Sequence, residues 1–484
     1  GTAAALSPIL GIPVETIIAS LTVDSRFSYV AKRITPDTWK LVSELGIPGV
    51  FSEPTTNRVY PNGNLAASVV GYVGAEGTGL GGLEFGFNDQ LLGQDGKLTV
   101  ERVNGREIPA SERQSIDPVN GLSVRLTLDS NLQAMLEKSL GDQVIATGAE
   151  GGVAVIMEPG TGNILAMATY PTFDPNNPFA TDDKSKRNTA VTDVFEPGST
   201  SKVMTMASVI EEGGANAGTQ YTVENRISRG GTSFKDYVDH PTLRLTLAGV
   251  LAKSSNIGTI MASESIGEKK LYEYLQKFGI GQSTGMNFPG ESGGKLPDIN
   301  NENEWSDTTF PTLAFGQGLS VNAVQTTSVF ATIANDGVRM LPRLIAGYSN
   351  TEGVYEPTMI DEGVRVVSPE TAKTVREMLE GVVSEDGTAK NMQIPGYRVG
   401  GKTGTANRYD ETTGGYSGYT SSFIGMAPAE KPALVMSVSI HNPKTSTYGS
   451  VVAGPVFKKV MTYALAHKKV PPSTTKPPKL PVEW

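Results

Sequence analysis

Ser199, Lys202, Ser254, Asn256 and the run Lys402-Thr403-Gly404-Thr405 are the residues of this chain whose types and spacing suit acyl transfer. They supply a nucleophile, a base, a hydroxyl relay, an amide and a second cation, which is the set such chemistry needs when histidine does not provide the base. A serine hydroxyl is a poor nucleophile until a base takes its proton. Lysine does this only if its pKa falls from about 10.4 toward 7–8, a change worth roughly 4 kcal/mol. Burial beside another cation moves it that way, and Lys402 is the expected second charge. Ser254 can pass a proton between Lys202 and a leaving amine, and Asn256 can bind a substrate carbonyl.

Single patterns are weak and their order is strong. Ser-x-x-Lys occurs at Ser199/Lys202, Ser292/Lys295 and Ser473/Lys476. Ser292 sits in Gly290-Glu291-Ser292-Gly293-Gly294, a turn that cannot place Lys295 one helical turn away, and Ser473 lies among prolines. Ser199 opens a helix, because Val203, Met206, Ala207 and Ile210 recur at helical spacing. Positions i and i+3 share a helix face, so Lys202 is expected to reach the Ser199 hydroxyl. Ser-x-Asn also matches Ser320/Asn322, while Lys402-Thr403-Gly404 is unique. Ser254-Ser255-Asn256 alone reads equally well as a turn or helix cap. Lys402–Thr405 alone reads as an ordinary strand with an exposed lysine. Glycine within a strand suggests close approach, here of a peptide laid alongside as an added strand. The N–H groups of Ser199 and Thr405 would then form an oxyanion hole, with Lys402, Thr403 and Thr405 placed for a substrate carboxylate.

Composition narrows the field further. With 484 residues, two domains or one domain with a satellite are expected. A net charge of −9 argues against a nucleic-acid partner. Cysteine is absent, which removes disulfides and thiol chemistry. Only His240, His441 and His467 exist, leaving little for a Ser-His-Asp triad, and the reading calls for no metal and no cofactor. His467, near a lysine-rich helix end, reads as a partner of the helix dipole. No run approaches the roughly 20 apolar residues of a membrane span, and no signal peptide opens the chain, so Gly1 reads as a trimmed start.

The elements that must position these residues follow from periodicity. The first hundred or so residues read as a separate α/β module. Val14, Ile17, Ile18 and Leu21 form a helical stripe, and a second helix runs from Thr35-Pro36 to Gly46. The polar stretch between about Gly105 and Gly121 is the expected boundary. The resulting division is 1–120, 121–468 and a proline-rich tail over 469–484, expected to be extended or disordered. In the second module Leu122–Leu128 alternates as a strand, and a helix follows Asp129-Ser130. Gly152–Glu158 and Asn163–Thr169 form a hairpin, Arg398–Ala406, Ser421–Ala427 and Leu434–Ile440 read as strands, and Val456–Ala464 lies in a last helix. Helices flanking a late antiparallel sheet make the fold class α+β.

With the three motifs come Phe195-Glu196-Pro197-Gly198, Phe315-Gly316-Gln317-Gly318, Gly396-Tyr397 and Phe423-Ile424-Gly425-Met426-Ala427-Pro428. Upstream lie Arg58-Val59-Tyr60-Pro61, Gly71-Tyr72-Val73-Gly74 and Gly82-Leu83-Glu84. On these residues the chain resembles a class B penicillin-binding protein, a monofunctional peptidoglycan D,D-transpeptidase, leaning to the cell-division subgroup. The resemblance covers most of the chain. It implies a non-catalytic pedestal followed by a transpeptidase domain, with Ser199 acylated, Lys202 its base, and β-lactams acting as covalent mimics of the D-Ala-D-Ala end of a peptidoglycan stem peptide. It also implies a membrane anchor, an extracytoplasmic site, and a membrane glycosyltransferase and divisome proteins as partners. Compared with the family, the chain is expected to begin after the anchor and the opening of the pedestal, which makes an incomplete pedestal the expectation. The rival readings are a serine β-lactamase or D,D-carboxypeptidase, and a β-lactam sensor or silent scaffold. A β-lactamase positions water with a glutamate. Glu264 and Glu268 fall in helical sequence, and Glu302 and Glu304 in a polar loop.

Overall fold

The computed structural model describes residues 1–103, 106–107, 114–410 and 415–484, which fall into two compact units, 1–61 with 74–77 and 62–73 with 78–484. The expected boundary between about Gly105 and Gly121 lies partly outside the described residues.

Among its described residues the first unit is helical: α1 (Thr2–Leu10), α2 (Val14–Leu21) and α3 (Pro36–Glu44). Thr35 caps α3 by accepting the Thr38 N–H at 3.2 Å, with Pro36 at the first helical position. Ala3, Leu6, Ile17 and Val42 form its small core. The α/β character expected for the first hundred residues therefore divides. Tyr72–Val73, Gly79–Gly81, Lys97–Thr99 and Gln114–Ile116 are strands, but they belong to the second unit.

The second unit is built on one five-stranded sheet. Asp129 caps α4 (Ser130–Thr147) by accepting the N–H groups of Asn131 and Leu132. The hairpin β1 (Gly151–Met157) and β2 (Ile164–Tyr170) follows. Next come α5 (Lys202–Glu211), α6 (Leu247–Lys253), α7 (Asn256–Glu264), α8 (Ala323–Ala334) and α9 (Pro369–Val383). The last elements are β3 (Gly400–Asp410), β4 (Gly415–Ala427), β5 (Leu434–His441) and α10 (Gly454–His467). The strand order is β3-β4-β5-β1-β2, antiparallel throughout, so β3 is an edge strand. The strand over Leu122–Leu128 forms as Ser123–Leu126 but pairs with Ile345–Ser349, apart from this sheet.

Residues of β1 are buried throughout, as a central strand covered on both faces requires. Successive side chains of a strand point to opposite faces. Gly425 on β4 lies against the Phe457 ring of α10, with Met436 of β5 directly opposite it in register. The next residue, Ser437, hydrogen-bonds Thr327 of α8 at 2.6 Å, so α10 and α8 cover opposite faces. Among the described residues no helix is long and apolar enough to cross a membrane.

The proline-rich tail is extended and held. Tyr397 Oη donates to the Val470 carbonyl at 2.7 Å, the Arg398 N–H to Ser473 Oγ at 2.8 Å, and the Thr246 N–H to the Val482 carbonyl at 3.0 Å. Its backbone polar groups find partners at the entry to β3 and at the cap of α6, which removes the disordered alternative.

Phe457 is fully buried and meets Phe423 of β4 edge-on, with ring centroids 4.7 Å apart. Phe457→Ala is expected to cost about 3–5 kcal/mol of stability, read as a lower urea midpoint for the second unit. A change below about 1 kcal/mol would show that this contact does not hold the helix layer to the sheet.

Candidate active site

Ser199 lies in a short 3-10 turn, Gly198–Ser201, that runs directly into α5. The helix expected to begin at Ser199 therefore begins as this tighter turn, in which positions i and i+3 eclipse, keeping Ser199 and Lys202 on one side. The turn is locked from both flanks. Phe195 and Val321 exchange backbone hydrogen bonds at 3.0 Å, the Gly198 N–H donates to the Gly316 carbonyl at 2.9 Å, and the Gly318 N–H donates to Glu196 Oε1 at 3.0 Å. Gly316 has φ +90, and a Cβ there would stand 2.1 Å from the Gly198 carbonyl oxygen. Only glycine fits such a place. The Phe195–Gly198 and Phe315–Gly318 segments are thus two halves of one clamp.

Ser254 ends α6 in the left-handed region, φ 62, and Ser255 caps α7 by accepting the Gly258 N–H at 2.9 Å. This sharp joint carries Ser254 between the two lysines. Lys202 Nζ donates to the Ser254 carbonyl at 2.5 Å and to its Oγ at 3.3 Å. Lys402 Nζ donates to the same Oγ at 2.8 Å and to the Thr403 carbonyl at 3.1 Å. Accepting from both, the Ser254 hydroxyl keeps its own proton for donation. The expected direct contact between Lys202 and the Ser199 hydroxyl is not made. Lys202 turns to Ser254 instead, because the carbonyl of a left-handed helix end is an acceptor already aimed at it.

Both lysines are fully buried. Burial pushes Lys202 down to about 7, opposed by the charge of Asp236. Lys402 is held well below its ordinary value by burial and then by the Lys202 charge beside it. Expelling an ammonium group from water favours its neutral form. Loss of water is thus the leading cause for both, where the sequence pointed to Lys402 as the tuning charge for Lys202.

The remaining candidates adjoin Ser254 and Lys402 along the chain. Asn256 donates from Nδ2 to the Lys235 carbonyl at 3.1 Å. Thr403 Oγ1 lies 3.2 Å from Thr388 Oγ1, and the Thr405 hydroxyl donates to the Thr447 carbonyl at 2.9 Å. As folded, the Thr405 proton is committed to Thr447, so carboxylate binding there requires that hydroxyl to rotate. Gly404 has a different reason from the one the strand pattern suggests. A Cβ there would meet Ser422 Oγ at 2.4 Å, Thr200 Cγ2 at 2.9 Å and the Pro197 carbonyl oxygen at 3.2 Å. The close approach is made by the nucleophile turn itself, while the outer edge of β3 stays unpaired in the sheet.

The competing serines stand elsewhere. Lys295 pairs with Glu304 at 3.4 Å, and Ser473 Oγ accepts the Arg398 N–H. None of the three histidines contacts Ser199, Lys202, Ser254 or Lys402. His441 is half-buried, and desolvation pushes it down to about 4, with its Nδ1 3.2 Å from the Thr420 hydroxyl. His467, expected to serve the dipole of its own helix, pairs at 2.9 Å with Asp129, the cap of α4. Asp236 was missed. It stands 18 positions before Ser254 in an irregular loop, where no periodicity or motif marks it.

A serine in a helix-opening turn, two buried lysines and one serine hydroxyl shared between them are an arrangement suited to serine acyl transfer with a lysine base. Residues 152–462 match the penicillin-binding protein transpeptidase domain and residues 3–126 the penicillin-binding protein dimerisation domain. Penicillin-binding protein PbpB of Mycolicibacterium smegmatis is 36% identical over 481 residues, 97% of this chain and 74% of that protein. Peptidoglycan D,D-transpeptidase FtsI of Escherichia coli is 32% identical over 97% of this chain and 77% of its own length. Penicillin-binding protein 3 of Mycobacterium tuberculosis, solved in complex with ampicillin, superposes with a TM-score of 0.79 at 35% identity, covering 88% of this chain and 93% of that one. The chain belongs to the penicillin-binding protein transpeptidase family, and its dimerisation and transpeptidase modules are those of a class B member of septal type.

Gly404→Ala is expected to displace the Pro197–Thr200 turn and slow acylation of Ser199 by at least tenfold in protein that remains folded. Stopped-flow acylation kinetics measure this, and a wild-type rate would show that β3 does not seat the nucleophile.

Proposed function

We propose that Ser199 is the acylated residue of this peptidoglycan D,D-transpeptidase, that Lys202 is its base, and that Ser254 and Lys402 carry the proton onward. Ser199 Oγ gives its proton to neutral Lys202 and attacks the carbonyl carbon of the penultimate D-Ala of a stem peptide. The oxyanion is received by the N–H groups of Ser199 and Thr405. Collapse breaks the C–N bond, and the leaving D-Ala amine takes its proton through Ser254. An amine of a neighbouring stem peptide then attacks the ester, forms the crosslink and returns the proton to Ser199. The unpaired edge of β3 supports substrate binding as an added strand, with Asn256, Thr403 and Lys402 along it and Gly404 keeping the strand against the nucleophile.

The observation that carries this reading is the Ser254 hydroxyl held by both buried lysines beside the Ser199 turn. β-Lactams acylate the same serine and block it. Of the four glutamates the sequence offers to the hydrolase alternative, three are engaged elsewhere. Glu264 pairs with Arg229, Glu268 accepts from Trp305 Nε1 at 3.3 Å, and Glu304 pairs with Lys295. In the cell we place the catalytic unit outside the cytoplasmic membrane, working with a membrane glycosyltransferase and divisome proteins. Residues 1–120 would serve as the pedestal, and 121–468 as the catalytic domain, braced by the tail over 469–484. The family and the identity to FtsI and PbpB support these assignments.

Intact-mass spectrometry after incubation with benzylpenicillin, followed by peptide mapping, is expected to find one adduct, on Ser199, that persists for many minutes at neutral pH. An adduct on Ser292 or Ser473, or none, would overturn the assignment. Clearance within seconds with continuous β-lactam turnover would make the chain a hydrolase.

A further inference from the structure

The loop between the strands Thr232–Lys235 and Leu243–Thr246 reaches the active site through one carboxylate. Asp236 is 8% exposed. Its Oδ1 accepts the backbone N–H groups of Asn256 at 2.6 Å and Ile257 at 3.0 Å, the first two residues of α7. Those N–H groups have no partner within the helix, and the positive end of the helix dipole favours a carboxylate there. The adjoining Lys235 carbonyl accepts the Asn256 side-chain amide at 3.1 Å. Two consecutive residues, the last of the strand and the first of the loop, therefore grip Asn256 by side chain and backbone together.

What they grip is the joint that makes the site. Ser254 is one of few non-glycine residues with positive φ, a conformation that persists only when its surroundings hold it. Residues 250–253 hold the joint from one side, through the Ser254 N–H to the Leu251 carbonyl and the Ser255 N–H to the Val250 carbonyl. From the other side the start of α7 is held by Asp236. Release of that end would let Ser254 leave the gap between Lys202 and Lys402.

We propose that Asp236 is a positioning residue of the transpeptidase reaction, fixing the Ser254 joint through the first turn of α7 and placing one negative charge behind the base Lys202. The proposal rests on Lys202 acting as that base. The negative charge of Asp236 opposes the burial that pushes Lys202 down. Lys402 on β3 shares the Ser254 hydroxyl with Lys202, and Asp236 acts on Lys202 by its charge from the loop. Behind Asp236 stands His240, whose Nε2 lies 3.1 Å from Oδ2 and whose Nδ1 lies 2.7 Å from the Pro241 carbonyl. Both ring nitrogens thus face acceptors, and the ring braces the carboxylate from its far side.

The two roles of Asp236 separate by substitution. Asp236→Asn keeps an oxygen for the two N–H groups and removes the charge. Asp236→Ala removes both. Acylation of Ser199 by benzylpenicillin, followed against pH, reads them independently. Without the negative charge, protonated Lys202 is less favoured, so the midpoint of the rise in rate is expected to move to lower pH by about 0.5–1 unit in both variants. The limiting rate at high pH is expected to fall at least tenfold in Asp236→Ala and to be largely restored in Asp236→Asn. His240→Gln, whose amide still donates to Oδ2, is expected not to lower the midpoint, because the carboxylate remains. An unshifted or raised midpoint in Asp236→Asn overturns the charge role, and it stands alone if the alanine variant does not fold. Equal limiting rates in the two variants overturn the positional role. If the wild-type profile has no rise near neutrality, the fault lies with Lys202 as base; if it has that rise and the Asn variant does not move it, the fault lies with Asp236.

Discussion

Two ammonium groups buried on either side of one hydroxyl are the constraint around which the catalytic unit is arranged. Lys202 and Lys402 are both wholly removed from water, and each hydrogen-bonds the Ser254 oxygen. Burying a cation without a counter-charge is expensive, and placing a second one beside it adds repulsion, so the cluster persists by giving up protons. That response is what the chemistry uses. A lysine near its ordinary value would hold its proton at neutral pH, whereas one pushed to about 7 exchanges it readily. The acceptors that remain are oxygens: the carbonyls and the hydroxyls of Ser254 and Thr403.

Holding this cluster sets demands on the backbone. Ser254 must turn left-handed between two helices so that carbonyl and hydroxyl both face the lysines. The nucleophile turn must lie flat on the edge strand, which explains why Gly404 and Gly316 flank it with no room for a methyl group. An edge strand serves two purposes at once. Its inner face seats the nucleophile and delivers Lys402, while its unpaired edge offers backbone groups to a peptide. The candidate site therefore lies at one edge of the sheet, with the fully buried β1 and the aromatic contact between Phe423 and Phe457 giving it a rigid foundation.

Much of this was legible in the residues, for reasons that differ by element. The hairpin of β1 and β2 and the strand β5 carry apolar runs and form within a residue of their expected bounds, whereas β3 and β4, read over Arg398–Ala406 and Ser421–Ala427, run on to Asp410 and begin already at Gly415. The α4 and α3 helices announce themselves by a cap and a stripe. The helix α1 does not, since it has no capping side chain and contains Pro8. Pairing of Ser123–Leu126 with Ile345–Ser349 joins segments more than 200 positions apart, which no local pattern encodes. The tail looked free because proline-rich composition speaks only of internal structure, and its order comes from partners at Gly396–Arg398 and Thr246. In the candidate site, residue types and their order pointed to Ser199, Lys202, Ser254, Asn256 and Lys402–Thr405; the fold joins Lys202, Ser254 and Lys402 by hydrogen bonds and sets Gly404 against Pro197 and Thr200 of the Ser199 turn. The sequence misled on detail where geometry decides. Lys202 bonds Ser254 before Ser199, Gly404 yields to Thr200 and Pro197, and Asp236 enters from a loop without a motif.

The claim on which the rest turns is that burial makes Lys202 a base at neutral pH. The rate of Ser199 acylation by benzylpenicillin, measured across pH by stopped flow on the wild-type protein, tests it directly. The account predicts a rise through a midpoint near 7, set by loss of the Lys202 proton. A rate that is flat across neutrality, or one that rises only toward the ordinary lysine value of 10.5, would contradict it.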